Sequence, residues 1–220
     1  MSDACGAKLR REDLVGSLLD VSPVVPVVVI EEAATAVPLA DALWAGGVRI
    51  IEITLRSAAA LEAVRAIADE RPQMAVGVGT VCAPAQALAA REAGASFLVS
   101  PGSTDRLLDA MQDTGLPFLA GCATPSDMLR LLERGITEAK LFPATAVGGT
   151  ALLKAVHGPL PQLRFCPTGG ITVASAPEFL ALPNVGCVGG TWLTPAAALA
   201  SGDWPLIAAL AEQASALRVG

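Results

Sequence analysis

Two short apolar runs in this chain each carry an ionisable residue that an ordinary core would not hold. The segment Glu138-Ala139-Lys140-Leu141-Phe142-Pro143 contains one of only three lysines, against twelve arginines. The segment Ile50-Ile51-Glu52-Ile53-Thr54-Leu55-Arg56 sets a glutamate between isoleucines. Both read as β-strands, in which successive side chains alternate between faces. Lys140 and Phe142 then share one face and Ala139 and Leu141 the other. Glu52, Thr54 and Arg56 oppose Ile51, Ile53 and Leu55 in the same way. Confinement in an apolar site disfavours an ammonium, and a neutral amine is the form that attacks a carbonyl. The bland alternatives are that Lys140 does no more than pair with Glu52 or Glu138, or that a Glu52–Arg56 pair merely plugs the interior. A buried charge is costly unless it is paired or used.

Two further segments suit anionic groups. Pro167-Thr168-Gly169-Gly170-Ile171-Thr172 and Val188-Gly189-Gly190-Thr191-Trp192-Leu193 each carry paired glycines, which let backbone N–H groups approach a phosphate. Glycine also serves ordinary tight turns, so the weight comes from finding two such pairs at adjacent strand ends. Val78-Gly79-Thr80 and Ser100-Pro101-Gly102 supply the rest of a rim. There the Thr80 hydroxyl can join the planar fork of Arg56 in holding a carboxylate.

Residues so far apart in sequence need a scaffold that gathers strand ends. Strand patterns at 24–30, 48–54, 74–79, 96–100, 117–119, 138–142, 163–166 and 185–189 alternate with helical patterns at 33–45, 58–70, 84–93, 105–113, 125–134, 149–156, 173–181 and 205–218. The eight units average about 27 residues, near the minimum for a strand, a crossover helix and two loops. No GxGxxG fingerprint follows the first strand, which weakens a dinucleotide-binding sheet. The expected fold is a single α/β (β/α)8 barrel over 23–220, preceded by a helical extension over 1–22. Such barrels place their functional residues at the C-terminal strand ends and often a phosphate on loops seven and eight. Gly46/Gly47, Gly94 and Gly135 are expected as left-handed residues closing helices.

Composition removes other classes of function. The 220 residues are 53% hydrophobic with a net charge of −6, which leaves no electrostatic footprint for a nucleic-acid backbone. One histidine, His157, and five cysteines at irregular spacing (5, 82, 122, 166, 187) form neither the usual zinc site nor a disulfide framework, and the thiols are read as packing. The uncharged stretches 72–90 and 179–202 are long enough to span a bilayer, but prolines and glycines would break a lipid-exposed helix. The N-terminus has no apolar core of a secretory signal, so a cytoplasmic protein without membrane or nucleic-acid partners is expected. Lys154 and His157 are expected on a solvated helix face.

The motifs GGVRIIEITLRS, VGVGTV, FLVSPG, AKLFPA, RFCPTGGI and VGGTWL, in this order from residue 23 to the C-terminus, resemble the 2-keto-3-deoxy-6-phosphogluconate (KDPG) and 4-hydroxy-2-oxoglutarate (KHG) aldolases. The resemblance implies a TIM barrel of class I aldolase type, no cofactor or metal, a 2-keto acid phosphate substrate and a homotrimer. It assigns Lys140 as the Schiff-base lysine and Glu52 as the carboxylate that shuttles protons through water. Arg56 and Thr80 match binders of the pyruvate carboxylate, with Pro101 and Phe142 lining that pocket and Thr168 touching a substrate hydroxyl. Gly169, Gly170, Gly189, Gly190 and Thr191 fall on phosphate-binding loops. Thr191 stands where many members are expected to carry Ser, and Thr168 favours the gluconate over the galactonate substrate. The alternatives are 2-keto-3-deoxy-6-phosphogalactonate cleavage, a phosphosugar isomerase or epimerase using Glu52 as base without a covalent adduct, and a non-catalytic binding barrel.

Overall fold

The computed structural model describes residues 17–217. Eight parallel strands are present: β1 (Val24–Val28), β2 (Ile50–Thr54), β3 (Ala75–Gly79), β4 (Phe97–Val99), β5 (Phe118–Cys122), β6 (Glu138–Leu141), β7 (Arg164–Pro167) and β8 (Val188–Gly190). Each pairs with its sequence neighbour from β1 to β7, and β8 pairs with β1. The seam between β7 and β8 is closed by two isolated bridges, Phe165↔Val185 and Thr168↔Gly189. The helices are α1 (Ala36–Ala45), α2 (Ala60–Glu70), α3 (Pro84–Glu92), α4 (Asp105–Asp113), α5 (Pro125–Glu133), α6 (Gly149–His157), α7 (Ala176–Leu180), α8 (Ala196–Ser201) and α9 (Trp204–Ser215). The (β/α)8 barrel expected from the alternating pattern is therefore the observed fold.

Alternation along the strands divides the core into two layers. Ile51, Ile53, Val76, Val78, Ala139 and Leu141 pack outward against the helices. Val25, Ile50, Ala75, Phe97, Val99 and Leu119 fill the interior, where Leu18 and Leu19 close the floor from a 3-10 turn, Leu18–Asp20. That turn is tied down by Arg164, which meets Asp20 at 2.6 Å and Ser17 at 3.2 Å. The rest of the expected extension, residues 1–16, lies outside the described residues, as do Cys5 and Lys8.

Several local expectations need correction. Gly47, Gly94 and Gly135 are left-handed, with φ of 88°, 87° and 73°, but Gly46 is not, at φ −80°. Gly46 is instead a close-approach glycine: a side chain there would run into Ala208 and Ala211 of α9. Strand β5 runs on to Cys122 through Gly121, where the backbone of Pro101 leaves no room for a Cβ. Helix α8 is an additional element between the patterns at 185–189 and 205–218. The pattern at 173–181 shortens to α7, and the one at 33–45 starts as a 3-10 turn, Ala33–Thr35, before α1. Lys154 is exposed as expected, whereas His157 is half-buried and its Nδ1 has no partner. The two uncharged stretches fall on β3 with the start of α3, and on the end of α7, β8 and α8. No helix among the described residues is long and apolar enough to cross a membrane.

Phe97 is the largest side chain of the interior and fills the space left by Gly77 on the neighbouring strand. Phe97→Ala opens a cavity that rigid strands cannot close, so it is expected to cost about 3–5 kcal/mol. Urea unfolding should show this as a lower midpoint with an unchanged m-value.

Candidate active site

Glu52 and Lys140 come from strands on different sides of the barrel and meet in its lumen. The Lys140 Nζ donates to Glu52 Oε1 at 3.3 Å, and the two residues are only 5% and 3% exposed, so bulk water does not compete for the contact. The other pairings do not form. Arg56 is exposed at the mouth, and Glu138 turns instead to Arg164, 3.7 Å away at the opposite end of the barrel. Gly79, at the end of β3, leaves the space that the Glu52 carboxylate occupies. The Phe142 ring lies 5.3 Å from Nζ, a cation–π distance that favours a cation held in place. Thr54 donates its hydroxyl to the Val28 carbonyl at 2.9 Å and so fastens β2 to β1 beside the pair.

Above the pair opens a cavity of about 460 Å³. Every candidate residue lines it: Glu52, Arg56, Thr80, Pro101, Lys140, Phe142, Thr168, Gly169, Gly170, Gly189, Gly190 and Thr191. Arg56 and Thr80 share one side. Thr80 holds φ 60°, the left-handed region that a β-branched residue rarely enters. Among the described residues it is the sole non-glycine there, and strain of this kind gathers at functional sites.

The glycine loops form another side. Gly169 and Gly170 have consecutive positive φ values, 102° and 77°, a conformation that glycine adopts without a Cβ penalty. Thr168 N donates to Leu141 O at 2.9 Å, and Ala144 N donates to Thr168 O at 2.8 Å, so the β6 and β7 ends are laced together. Gly189 lies against the Thr168 side chain and Gly190 against the Trp192 ring, both too close for a Cβ. These glycines are needed for close approach as well as for turning.

Val27, Thr54 and Ile171 complete the lining. Strand alternation sets Thr54 on the same face as Glu52, but Val27 and Ile171 carry no chemical signal in sequence. An apolar residue at a strand end looks the same whether it meets a substrate or a helix.

Three comparisons bear on this arrangement. The family model described as KDPG and KHG aldolase matches residues 15–210. The KHG/KDPG aldolase of Escherichia coli K12 is 48% identical over 198 residues, covering 90% of this chain and 93% of that protein. The 2-dehydro-3-deoxy-phosphogluconate aldolase of Pseudomonas aeruginosa is 47% identical over 191 residues, or 87% of each. Among solved structures, the KDPG aldolase of Legionella pneumophila superposes with a TM-score of 0.88 at 44% identity, covering 90% of this chain and 96% of that one. That structure holds pyruvate captured at low pH as a covalent carbinolamine intermediate.

The role of Gly79 can be tested directly. Gly79→Ala puts a methyl where the Glu52 carboxylate sits. The expected result is a folded barrel, destabilised by about 1–3 kcal/mol, whose crystal structure has lost the Lys140–Glu52 contact.

Proposed function

The chain belongs to the KDPG and KHG aldolase family, and from that premise we propose that it is a Schiff-base aldolase. It cleaves 2-keto-3-deoxy-6-phosphogluconate to pyruvate and glyceraldehyde 3-phosphate. The observation that carries this reading is the buried contact between Lys140 and Glu52 at the base of the cavity, 3.3 Å apart. An amine that must shed a proton before it attacks has its acceptor already in contact.

The chemistry follows from that geometry. Glu52 takes a proton from the Lys140 ammonium, and the freed amine attacks C2 of the keto acid to give a carbinolamine. Glu52 gives that proton to the departing hydroxyl, which leaves as water, and the resulting iminium is the electron sink for breaking C3–C4. Glu52, through a water, removes the C4 hydroxyl proton as the aldehyde departs, then returns a proton to C3 of the enamine. Hydrolysis releases pyruvate and restores Lys140. Arg56 and Thr80 hold the carboxylate, with Pro101 and Phe142 as walls, and Thr168 contacts a substrate hydroxyl. Gly169, Gly170, Gly189, Gly190 and Thr191 receive the phosphate. Fixing both ends of the substrate in this way is worth several kcal/mol of the barrier.

Cleavage of 4-hydroxy-2-oxoglutarate to pyruvate and glyoxylate is the second activity of this reading, supported by the double name of the E. coli relative. It asks only for the carboxylate side of the cavity. In keeping with the family resemblance, the protein is read as a cytoplasmic homotrimer.

Borohydride reduction in the presence of pyruvate should add a reduced pyruvoyl group to the peptide containing Lys140, detected by mass. An unmodified Lys140 at saturating pyruvate overturns the covalent mechanism and favours an isomerase or a binder. Lys140→Ala would also strand the buried Glu52 charge, at about 3–5 kcal/mol. Lys140→Arg keeps a cation opposite Glu52 while removing the nucleophile, and it should show no cleavage. Arg56→Lys loses the two-point grip on the carboxylate and should raise KM by about 10- to 100-fold, the worth of a charged hydrogen bond.

A further inference from the structure

Beside Lys140 the barrel interior holds two cysteines that the reaction does not use. Cys166 is the direct register partner of Lys140 across β6 and β7. It lies between the two bridges that close the β7–β8 seam. From one bridge to the other β7 advances three residues and the opposite strand four, so the opposite strand carries a bulge. Gly186 and Cys187 consequently both turn inward: a Cβ on Gly186 would meet Leu19, and Cys187 joins the interior cluster with Cys166. The Cys187 thiol is hydrogen-bonded to Cys166, whose Sγ is also 3.8 Å from Thr168 Oγ1. Lys140, Cys166 and Cys187 thus form a row across three adjacent strand segments.

This pair differs from the other described thiols. Burial pushes Cys122 up to about 12, which makes it inert, and Cys82 is an isolated thiol on the surface. At Cys166 the hydrogen bond from Cys187, joined by the Lys140 charge and by Thr168, holds the thiol below its ordinary value against burial and the Glu52 charge. Neighbouring strands lie about 4.8 Å apart, within the Cα separation of about 4.4–6.8 Å that disulfides span. The seam is held by two isolated bridges and not by a continuous ladder.

We propose that Cys166 and Cys187 form a redox modification site, at which hydrogen peroxide produces a disulfide that displaces Lys140 and Thr168 and suspends turnover until a thiol reductant reopens it. The Cys166 thiolate attacks one peroxide oxygen, the O–O bond breaks, and hydroxide leaves and is protonated to water. The sulfur, oxidised by two electrons, is then a sulfenic acid. Cys187 sulfur displaces its hydroxyl as a second water, its own proton leaving with it. Two thiols and one peroxide therefore give one disulfide and two waters. Cys166 sits behind Lys140 and Thr168, which line the cavity, so peroxide enters by the substrate's route and bound pyruvate slows the step. The effect on turnover rests on the aldolase reading; the cross-link does not.

The test uses the full chain carrying Cys82→Ser, treated with graded peroxide, alkylated under denaturing conditions and cut without reduction. Trypsin alone leaves both cysteines on one fragment, because no Lys or Arg lies between Phe165 and Arg218, so a glutamate-specific protease is added to cut at Glu178. The expected result is a Cys166–Cys187 peptide pair lighter by two hydrogens than its reduced halves. Its yield should track a fall in kcat/KM of up to about 100-fold, the effect of displacing catalytic groups by an ångström. Dithiothreitol should reverse both. Cys187→Ala should keep basal activity, yet peroxide should carry its Cys166 on to sulfinic acid, which dithiothreitol does not restore. Peroxide inactivation with no such peptide pair overturns the proposal, and so does full cross-linking with unchanged cleavage. An untreated protein with no aldolase activity overturns the functional reading instead, and the peptide pair alone then decides whether the site exists.

Discussion

Two opposite charges facing each other across the lumen of an apolar barrel are stable only together, and much of this fold is arranged around keeping Glu52 and Lys140 in contact. Removing both from water costs several kcal/mol per ion, which close pairing only partly offsets. The surroundings reduce that cost by precision of placement. Gly79 vacates the volume the carboxylate needs, Phe142 presents its ring to the ammonium, and Thr54 ties the glutamate strand to β1. Below, Phe97 and the Leu18–Leu19 plug keep the interior dry. Two apolar residues of similar volume would serve stability as well or better. Stability alone does not account for the pair at the base of an open cavity.

The second constraint is the seam between β7 and β8. Seven neighbouring strand pairs have ordinary ladders, whereas this one has two isolated bridges. The reason is local: Gly169 and Gly170 leave the extended region immediately after β7, and the bulge before β8 interrupts pairing from the other side. The glycine turn and the weak pairing at this seam therefore have one cause. The same looseness sets Cys166 and Cys187 side by side next to the lysine.

The eight strands were legible because parallel strands buried on both faces read as short apolar runs, and an ionisable residue in such a run stands out. Alternation places Glu52 with Thr54, and Lys140 with Phe142, on the strand face opposite the apolar residues that pack on the helices. What alternation does not carry is depth. Glu138 and Lys140 have the same parity, yet Glu138 lies at the floor against Arg164 while Lys140 reaches the cavity. Nothing in their spacing told them apart as partners for a charge.

Glycine was the other place where the sequence underdetermined the structure. The same residue type ends helices at Gly47, Gly94 and Gly135, admits α9 at Gly46, and lets β5 pass the Pro101 backbone at Gly121. Only the first use has a local signature, a glycine after a helical run. The other two depend on what arrives from elsewhere in the chain. Gly79 belongs with them: in sequence it is a glycine ending a strand, and in the barrel it is the space that lets a glutamate reach a lysine on the other side. Its function is an absence of atoms, visible only once Glu52 fills it.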